Sequence, residues 1–172
     1  MEDRAAKIGM VFFLATEAMF FAGLISAYWV LRAQVSPWPP LGQPRLPVLM
    51  TGLNTGILLL SGITVWQTGR ALWLGLTGLG GVLFLSIQGY EWYRLIHFGL
   101  TTVKNIYGGI FYIVVGAHAL HVVAALVVLF IVLFKVVQGS YSEDRTTGVT
   151  LCRMYWTFVV GVWPILYALV YF

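Results

Sequence analysis

Three ionisable side chains lie inside apolar stretches of this sequence: Glu17, His118 and His121. Glu17 lies in the run from Ile8 to Leu31, which has 24 residues and no other charge. As a helix this run would be about 36 Å long, enough to cross a bilayer with some tilt. An ionised group at mid-bilayer costs at least about 2.5 kcal/mol, so it is rarely kept without a use or a partner. The chemistry that this protein supports in the membrane is therefore expected near these three residues.

The two histidines are three positions apart, so they share one face of a helix. Two imidazoles on one face could ligate a metal or a haem, but such a site would need further ligands of similar quality. The sequence has no His-Glu-x-x-His and no Cys-x-x-Cys-His motif. We therefore predict no metal site and no catalytic residue. The favoured interpretation is a hydrogen bond across helices or a bridge from the histidines to Glu17.

For Glu17 itself three roles remain open: a structural hydrogen-bond donor, a contact with lipid or water, and a member of a proton relay. The residues one turn away on its own helix are apolar and cannot pair with it. A protein partner must therefore come from another helix.

Weaker candidates are polar or helix-end residues of the other spans: Asn54, Gln88, Glu91, Tyr155 and Trp156. Asn54 is a mid-helix amide, which predicts a hydrogen bond between helices. Glu91 is predicted to pair with Arg94 one turn away.

The composition places the chain in a membrane. Of its 172 residues 60% are hydrophobic and 9% charged, whereas soluble domains have about 25% charged residues. The net charge of +4 comes from bases at helix ends and in loops, with no basic patch typical of nucleic-acid binding. The single cysteine, Cys152, cannot form an internal disulfide, and no cysteine cluster suggests a metal.

Hydropathy predicts an all-α fold, a polytopic bundle of five transmembrane helices in a single domain, residues 1–172. The predicted spans cover residues 8–31, 48–68, 72–90, 107–134 and 154–172. Six Lys or Arg residues fall on the side of the amino terminus and four on the other. This bias predicts a cytoplasmic amino terminus and a carboxyl terminus on the outer side.

Two residue patterns predict how the spans are arranged. Small residues recur at every fourth position, which favours close helix packing: Gly52 and Gly56, Ala18, Ala22 and Ser26, and Thr77 and Gly81. Tryptophans near span ends are typical of an interfacial aromatic belt, although contacts within the protein are an equal alternative for several of them: Trp29, Trp38, Trp66, Trp73, Trp92 and Trp156.

Several short motifs follow one another along the chain: Gly9-Met10 to Glu17, Trp38-Pro39-Pro40, Leu53-Asn54-Thr55, Gln88 to Tyr93, Tyr107 to Val122, and Tyr155-Trp156 to Trp163. In this order, from Lys7 to Phe172, the sequence resembles subunit III of the haem–copper terminal oxidases. Each motif is weak alone, but the set is specific.

The resemblance implies an accessory subunit of an oxidoreductase in aerobic respiration, a cytochrome c or quinol oxidase, with no catalytic centre of its own. It implies that haem and copper belong to subunits I and II and that this chain binds no cofactor except phospholipid. Its expected partners are subunit I as the main contact, subunit II, other respiratory subunits and membrane lipids, in a bacterial inner membrane. Carried over by position, the family's buried glutamate is Glu17 and its histidine pair is His118 and His121, in a subunit thought to support proton uptake.

Two departures from the family pattern stand out. The chain matches only the last five of the family's seven helices. The family commonly reads Tyr-Trp-His-Phe-Val-Asp in the last helix, where this chain has Thr157 and Val160 in place of His and Asp.

Three alternative functions remain open: an accessory subunit of a nitric oxide reductase-type complex, a stand-alone metalloenzyme using His118 and His121, and a proton channel using Glu17.

Overall fold

The computed structural model describes residues 2–40, 46–67, 71–101, 106–139 and 147–172. These residues form five α-helices and no strand: α1 Glu2–Ala33, α2 Val48–Thr64, α3 Ala71–His97, α4 Ile106–Val137 and α5 Thr147–Tyr171. Four of the helices are long and apolar enough to cross a membrane, and α2 is a shorter apolar helix of 17 residues. The predicted all-α fold with five helices is confirmed.

Three helices extend well beyond the predicted spans. Helix α1 begins at Glu2 rather than near Ile8, α3 continues past Tyr90 to His97, and α5 begins at Thr147 rather than near Met154. Hydropathy marks where a chain leaves lipid, whereas a helix can continue through polar residues until a cap ends it. After α3 that cap is Gly99, whose φ of 89° suits glycine because it has no side chain.

Helix α5 is at the centre of the bundle. It packs against α1, α2 and α4, while α3 packs against α2 and α4. Within the described residues α1 contacts only α4 and α5. Helix α1 is therefore the outermost element, and Phe21 and Tyr28 are its only described side chains that are fully buried.

The distribution of side chains is the reverse of that in a soluble protein. Large apolar side chains such as Phe12, Met19 and Leu49 are more than two-thirds exposed. The buried set includes polar and charged residues: Thr51, Asn54, Thr55, Ser61, Thr77, Gln88, Glu91 and His118. Lipid accepts apolar side chains as readily as a protein core does, whereas polar groups must find partners inside the bundle. This distribution of side chains is typical of a bundle embedded in a lipid bilayer.

Close approach of α3 to the core depends on Gly81. A Cβ atom at this position would lie 2.5 Å from Cη2 of Trp156 and 2.8 Å from Cδ2 of Leu126. Both neighbours are buried, so they have little room to move. The predicted packing role of Gly81 is confirmed.

The other small-residue patterns are only partly confirmed. In the predicted Gly52–Gly56 step, Gly52 lies against the hydroxyl of Tyr167, but Gly56 has no neighbouring atom within 4 Å of a Cβ position. Ala18 and Ala22 are exposed, so the prediction that this stripe packs against another helix of the chain is wrong. Sequence spacing places residues on one face of a helix but does not say what that face contacts.

The tryptophans also separate into two groups. Trp29 and Trp66 are 55% and 56% exposed, as an interfacial belt requires. Trp156 is only 1% exposed, so for this residue the alternative of a contact within the protein is confirmed. An indole can be buried where its N–H finds an acceptor, and Trp156 has one, as described below.

The substitution Gly81→Ala tests the close approach of α3. We expect it to lower the free energy of unfolding by about 1–3 kcal/mol, because the new methyl group overpacks the core. Gly89→Ala on the same helix, with no atom near its Cβ position, is the matched control and should be neutral or slightly stabilising. Denaturation in mild detergent measures both variants, and equal stabilities would contradict the packing described here.

Candidate functional site: a glutamate–histidine pair between two helices

Glu17 of α1 pairs with His121 of α4. Its Oε2 lies 2.7 Å from the Nε2 of His121, and the two side chains are 19% and 16% exposed. The expectation that the partner of Glu17 comes from another helix is confirmed. The pair provides a polar link between the outermost helix and the rest of the bundle.

The hydrogen bond made by Nδ1 of His121 limits the protonation states that the pair can adopt. Nδ1 lies 2.6 Å from the carbonyl oxygen of Ala117, which can only accept, so Nδ1 donates. In a neutral imidazole Nε2 must then accept from a protonated Glu17. In a charged imidazolium Nε2 donates to the Glu17 carboxylate. Both arrangements have zero net charge and differ only in the position of one proton, which explains how lipid tolerates the pair.

Aromatic rings shield part of this pair. The rings of Phe20 and Phe21 have centroids 5.7 and 5.0 Å from that of His121, and Phe21 is 3% exposed. A hydrogen bond among apolar groups is stronger electrostatically than one in water. The partial exposure of Glu17 and His121 leaves the pair accessible from outside the bundle.

His118 lies in different surroundings from His121. It is 1% exposed and stacks on Trp163, with ring centroids 4.9 Å apart and an angle of 27°. The rings of Phe21 and Phe84 form T-shaped pairs with it, and neither of its nitrogens has a hydrogen-bond partner among the described residues. Aromatic faces are then the available acceptors for its N–H group. His118 fills the core, whereas His121 links two helices.

The donor set does not fit a haem or a copper ion. Both nitrogens of His121 are engaged by Glu17 and Ala117, and His118 is enclosed by rings. Across the described parts of the chain, no three His, Cys, Asp or Glu residues are grouped as metal ligands. This geometry favours a structural or proton-holding role for the pair over metal chemistry.

Three of the weaker candidates also make contacts. Asn54 donates from Nδ2 to a backbone carbonyl of α3 at 3.1 Å, which confirms the predicted bond between helices. Gln88 donates to the hydroxyl of Tyr171 at 3.3 Å. The carboxylate of Glu91 accepts a hydrogen bond from Arg94 at 3.4 Å, as predicted, and the side chain of Glu91 is buried.

A ladder of hydrogen bonds between α2 and α5 was not predicted from the sequence. It has three rungs: Trp156 Nε1 to Ser61 Oγ (3.3 Å), Trp163 Nε1 to Thr55 Oγ1 (2.8 Å) and Tyr167 Oη to the Val48 carbonyl (2.8 Å). A fourth, exposed bond joins Trp66 Nε1, just after α2, to Thr157 Oγ1 (3.0 Å). The sequence feature from which the ladder could have been predicted is the spacing of Trp156 and Trp163, which are two helical turns apart on one face of α5. Of the two candidates at the start of the last span, Trp156 belongs to this ladder and Tyr155 packs against Phe13 of α1.

The two positions that depart from the family pattern face α2. Thr157 accepts the indole N–H of Trp66. Val160 lies against Gly62, where a Cβ atom would be 2.9 Å from Cγ1 of Val160. In this chain both positions therefore serve the packing of α2 against α5.

Comparison with known proteins gives the family. The sequence model described as "Cytochrome c oxidase subunit III" matches residues 2–172. The chain is 38% identical over 175 residues to cytochrome c oxidase subunit 3 of Synechocystis sp., covering 95% of this chain and 73% of the relative. It is 34% identical over 178 residues to the probable subunit 3 of Nocardia farcinica, covering 96% of this chain and 87% of the relative. For subunit 3 of Thermostichus vulcanus the identity is 32% over 175 residues, with coverages of 95% and 85%.

An all-helical bundle with long apolar helices and apolar outer faces defines a multi-pass membrane protein. The chain belongs to the cytochrome c oxidase subunit III family, the non-catalytic subunits of haem–copper oxidases. The resemblance drawn from the motifs is confirmed, and the nitric oxide reductase-type alternative is not favoured, since these relatives are named as cytochrome c oxidase subunits.

Removing one rung of the ladder tests its contribution. Thr55→Val keeps the shape of the side chain but leaves the Trp163 N–H without its acceptor. We expect the free energy of unfolding to fall by about 0.5–2 kcal/mol. Thr16→Val is the matched control, because the Thr16 hydroxyl is exposed and bonds only to its own helix. Detergent denaturation in which Thr55→Val behaves like Thr16→Val would argue against the ladder.

A double-mutant cycle measures the link between α1 and α4. Glu17→Ala and His121→Ala should each destabilise the subunit, and their effects should be non-additive by about 0.5–2 kcal/mol. Glu17→Ala combined with Leu120→Ala, at a lipid-facing position of α4 that is 68% exposed, should be additive. Additivity in the first cycle as well would mean that the pair does not hold the helices together.

Proposed function

We propose that this chain supports a haem–copper terminal oxidase of aerobic respiration by packing on subunit I, with subunit II and other respiratory subunits as further partners. The observation that carries the proposal is the family match over residues 2–172. The absence of a fitting donor set in the described residues supports locating haem and copper in the partner subunits.

Within this function we assign the Glu17–His121 pair two roles. It holds α1 on the bundle, because α1 has few buried side chains of its own. It also holds one proton that can move between two groups across a 2.7 Å hydrogen bond without changing the net charge. Such a group suits a supporting role in proton uptake.

The setting of the subunit is part of the proposal. We assign it to the bacterial inner membrane, with the amino terminus cytoplasmic and the carboxyl terminus on the outer side. The distribution of Lys and Arg residues, six on one side and four on the other, supports this orientation. The exposed apolar faces of the helices support contacts with membrane lipids.

Co-purification tests this function directly. A tagged chain, extracted from its native membrane in mild detergent, should bring with it larger subunits and the visible absorbance of haem. The same chain isolated from its partners should show no haem absorbance. Recovery of the chain alone with a stoichiometric metal and oxygen-reducing activity would overturn the proposal in favour of a stand-alone metalloenzyme.

Turnover measurements test the role of the pair. In the assembled oxidase, His121→Ala should leave the initial rate of oxygen consumption near normal and shorten the time before inactivation. Glu17→Gln, which can still bond to His121 through its amide, should have the smaller effect on assembly. An immediate and complete loss of activity in a fully assembled His121→Ala complex would instead indicate a direct catalytic role.

A further inference from the structure

Three buried oxygen atoms have no hydrogen-bond partner among the described residues: Oγ1 of Thr51, Oδ1 of Asn54 and Oε1 of Gln88. The three residues are only 1%, 1% and 2% exposed. A buried polar atom without a partner is costly, and such atoms in native structures are commonly bonded to ordered water. These oxygens therefore require hydrogen-bond donors beyond those that the described side chains give them.

The three oxygens lie toward one end of the bundle, where α2 begins and α3 and α5 end. Thr51 and Asn54 share one face in the first two turns of α2. The amide nitrogen of Asn54 donates to the carbonyl of Phe84, one turn before Gln88 in α3. Gln88 donates to the hydroxyl of Tyr171 in α5, and Thr51 lies beside that same hydroxyl. Three helices therefore bring the oxygens together around one phenol.

Turning the two amides does not remove the unpaired atoms. Asn54 bonds to a backbone carbonyl, which can only accept, so its nitrogen faces the carbonyl and its oxygen stays free. The hydroxyl of Tyr171 can donate or accept. If the amide of Gln88 were turned, its oxygen would accept from Tyr171 and its nitrogen would lose its partner instead. Each amide therefore has one unpaired atom in either orientation.

The neighbouring donors of α5 are already engaged. The indole N–H of Trp163 donates to Thr55, and the hydroxyl of Tyr167 donates to a backbone carbonyl of α2. The hydroxyl of Tyr171 accepts from Gln88 and keeps one hydrogen to donate. One hydrogen cannot serve three oxygens, so the missing donors must come from a bound molecule.

The charge of this cluster favours a neutral ligand. Glu91 lies one turn after Gln88, with its side chain 3% exposed, and Arg94 is bonded to its carboxylate at 3.4 Å. Oxygen ligands alone would also suit a hard cation. The carboxylate beside this cluster is paired, however, so the cluster has no net negative charge to hold one. Water is neutral, donates two hydrogen bonds and accepts two, and typically makes about three such bonds when buried.

We propose that α2, α3 and α5 enclose an internal water site. Its water donates to Asn54 and Gln88 and is hydrogen-bonded to the hydroxyls of Thr51 and Tyr171. The site is separate from the Glu17–His121 pair, which joins α1 to α4. It does not rest on the proposed function, because all of its groups belong to this chain. The bound water extends the hydrogen bonds between α2 and α5 by a contact that also includes α3.

An electron cryo-microscopy map of the assembled oxidase, at a resolution that shows ordered water, tests the site directly. Density should lie within hydrogen-bond distance of Asn54 Oδ1 and Gln88 Oε1. Direct protein bonds to both oxygens with no density between them would overturn the site, as would a donor side chain from a partner subunit. Density ringed by oxygens at about 2.3–2.6 Å would identify a cation instead and would also overturn it.

X-ray radiolytic labelling tests the site without a map. Irradiation converts a bound water into a hydroxyl radical, which oxidises adjacent side chains even where bulk solvent does not reach. Phe111 is 1% exposed and its ring centroid is 6.0 Å from that of Tyr171, so it should be oxidised in the wild-type complex. Trp156, equally buried and with its N–H paired to Ser61, is the internal control and should stay unmodified. Oxidation of Phe111 no faster than that of Trp156 would contradict the water site.

Variants link the labelling to the proposed ligands. Gln88→Met keeps the length of the side chain but removes a partner of the water, so it should lower the oxidation rate of Phe111 several-fold. Ser86→Ala on the same helix is the matched control, because the Ser86 hydroxyl is exposed and bonds only within α3. If Gln88→Met fails to assemble, Thr51→Val replaces it and should act in the same direction. An assembled variant that labels Phe111 as fast as the wild type would overturn the site, and if neither variant assembles, the wild-type comparison of Phe111 with Trp156 decides.

Discussion

Polar groups buried between the helices stabilise the association of the helices in this bundle. In lipid the apolar faces of the helices gain little by leaving the membrane for the protein interior, so association depends on close packing and on hydrogen bonds between helices. The chain meets this constraint by exposing large apolar side chains such as Phe12 and Leu49 while burying a small set of polar ones: Thr51, Thr55, Thr77, Ser61, Asn54 and Gln88. The ladder between α2 and α5 is the clearest case, because its two buried rungs, from Trp156 to Ser61 and from Trp163 to Thr55, satisfy donors that would be costly in hydrocarbon.

The hydrogen bond between Glu17 and His121 contributes strongly to the attachment of helix α1. With few buried side chains it has less packing than any other helix, and its strongest contact with α4 is the Glu17–His121 hydrogen bond. A charged link would be expensive in this position, but the bond from His121 to the Ala117 carbonyl keeps the pair at zero net charge in either proton arrangement. The part in proton uptake that we propose would use this same hydrogen bond, so it requires no structure beyond the link that holds α1 in place.

The sequence allowed the fold to be predicted from hydropathy, because long apolar runs in lipid have no alternative to helices. It also allowed the prediction that Glu17 is paired from another helix. It did not show which histidine is the partner, since His118 and His121 share a face and the choice depends on how α1, α3 and α5 surround that face. The ladder was missed for a related reason: an apolar ring near a helix end looks the same in sequence whether it faces lipid, as Trp29 does, or an acceptor inside the bundle, as Trp156 does.

Two polar systems on different sides of α5 can change independently. Thr157 and Val160 face α2, where one accepts a hydrogen bond from Trp66 and the other lies against Gly62. Glu17 and His121 join α1 to α4. Replacing a histidine and an aspartate by Thr157 and Val160 therefore alters the contact between α2 and α5, while the glutamate–histidine pair keeps its partners. Because the pair depends on groups of α1 and α4 alone, the residues at positions 157 and 160 leave it intact. Helix α1 is also attached to α5, where Asp3 accepts a hydrogen bond from Thr147.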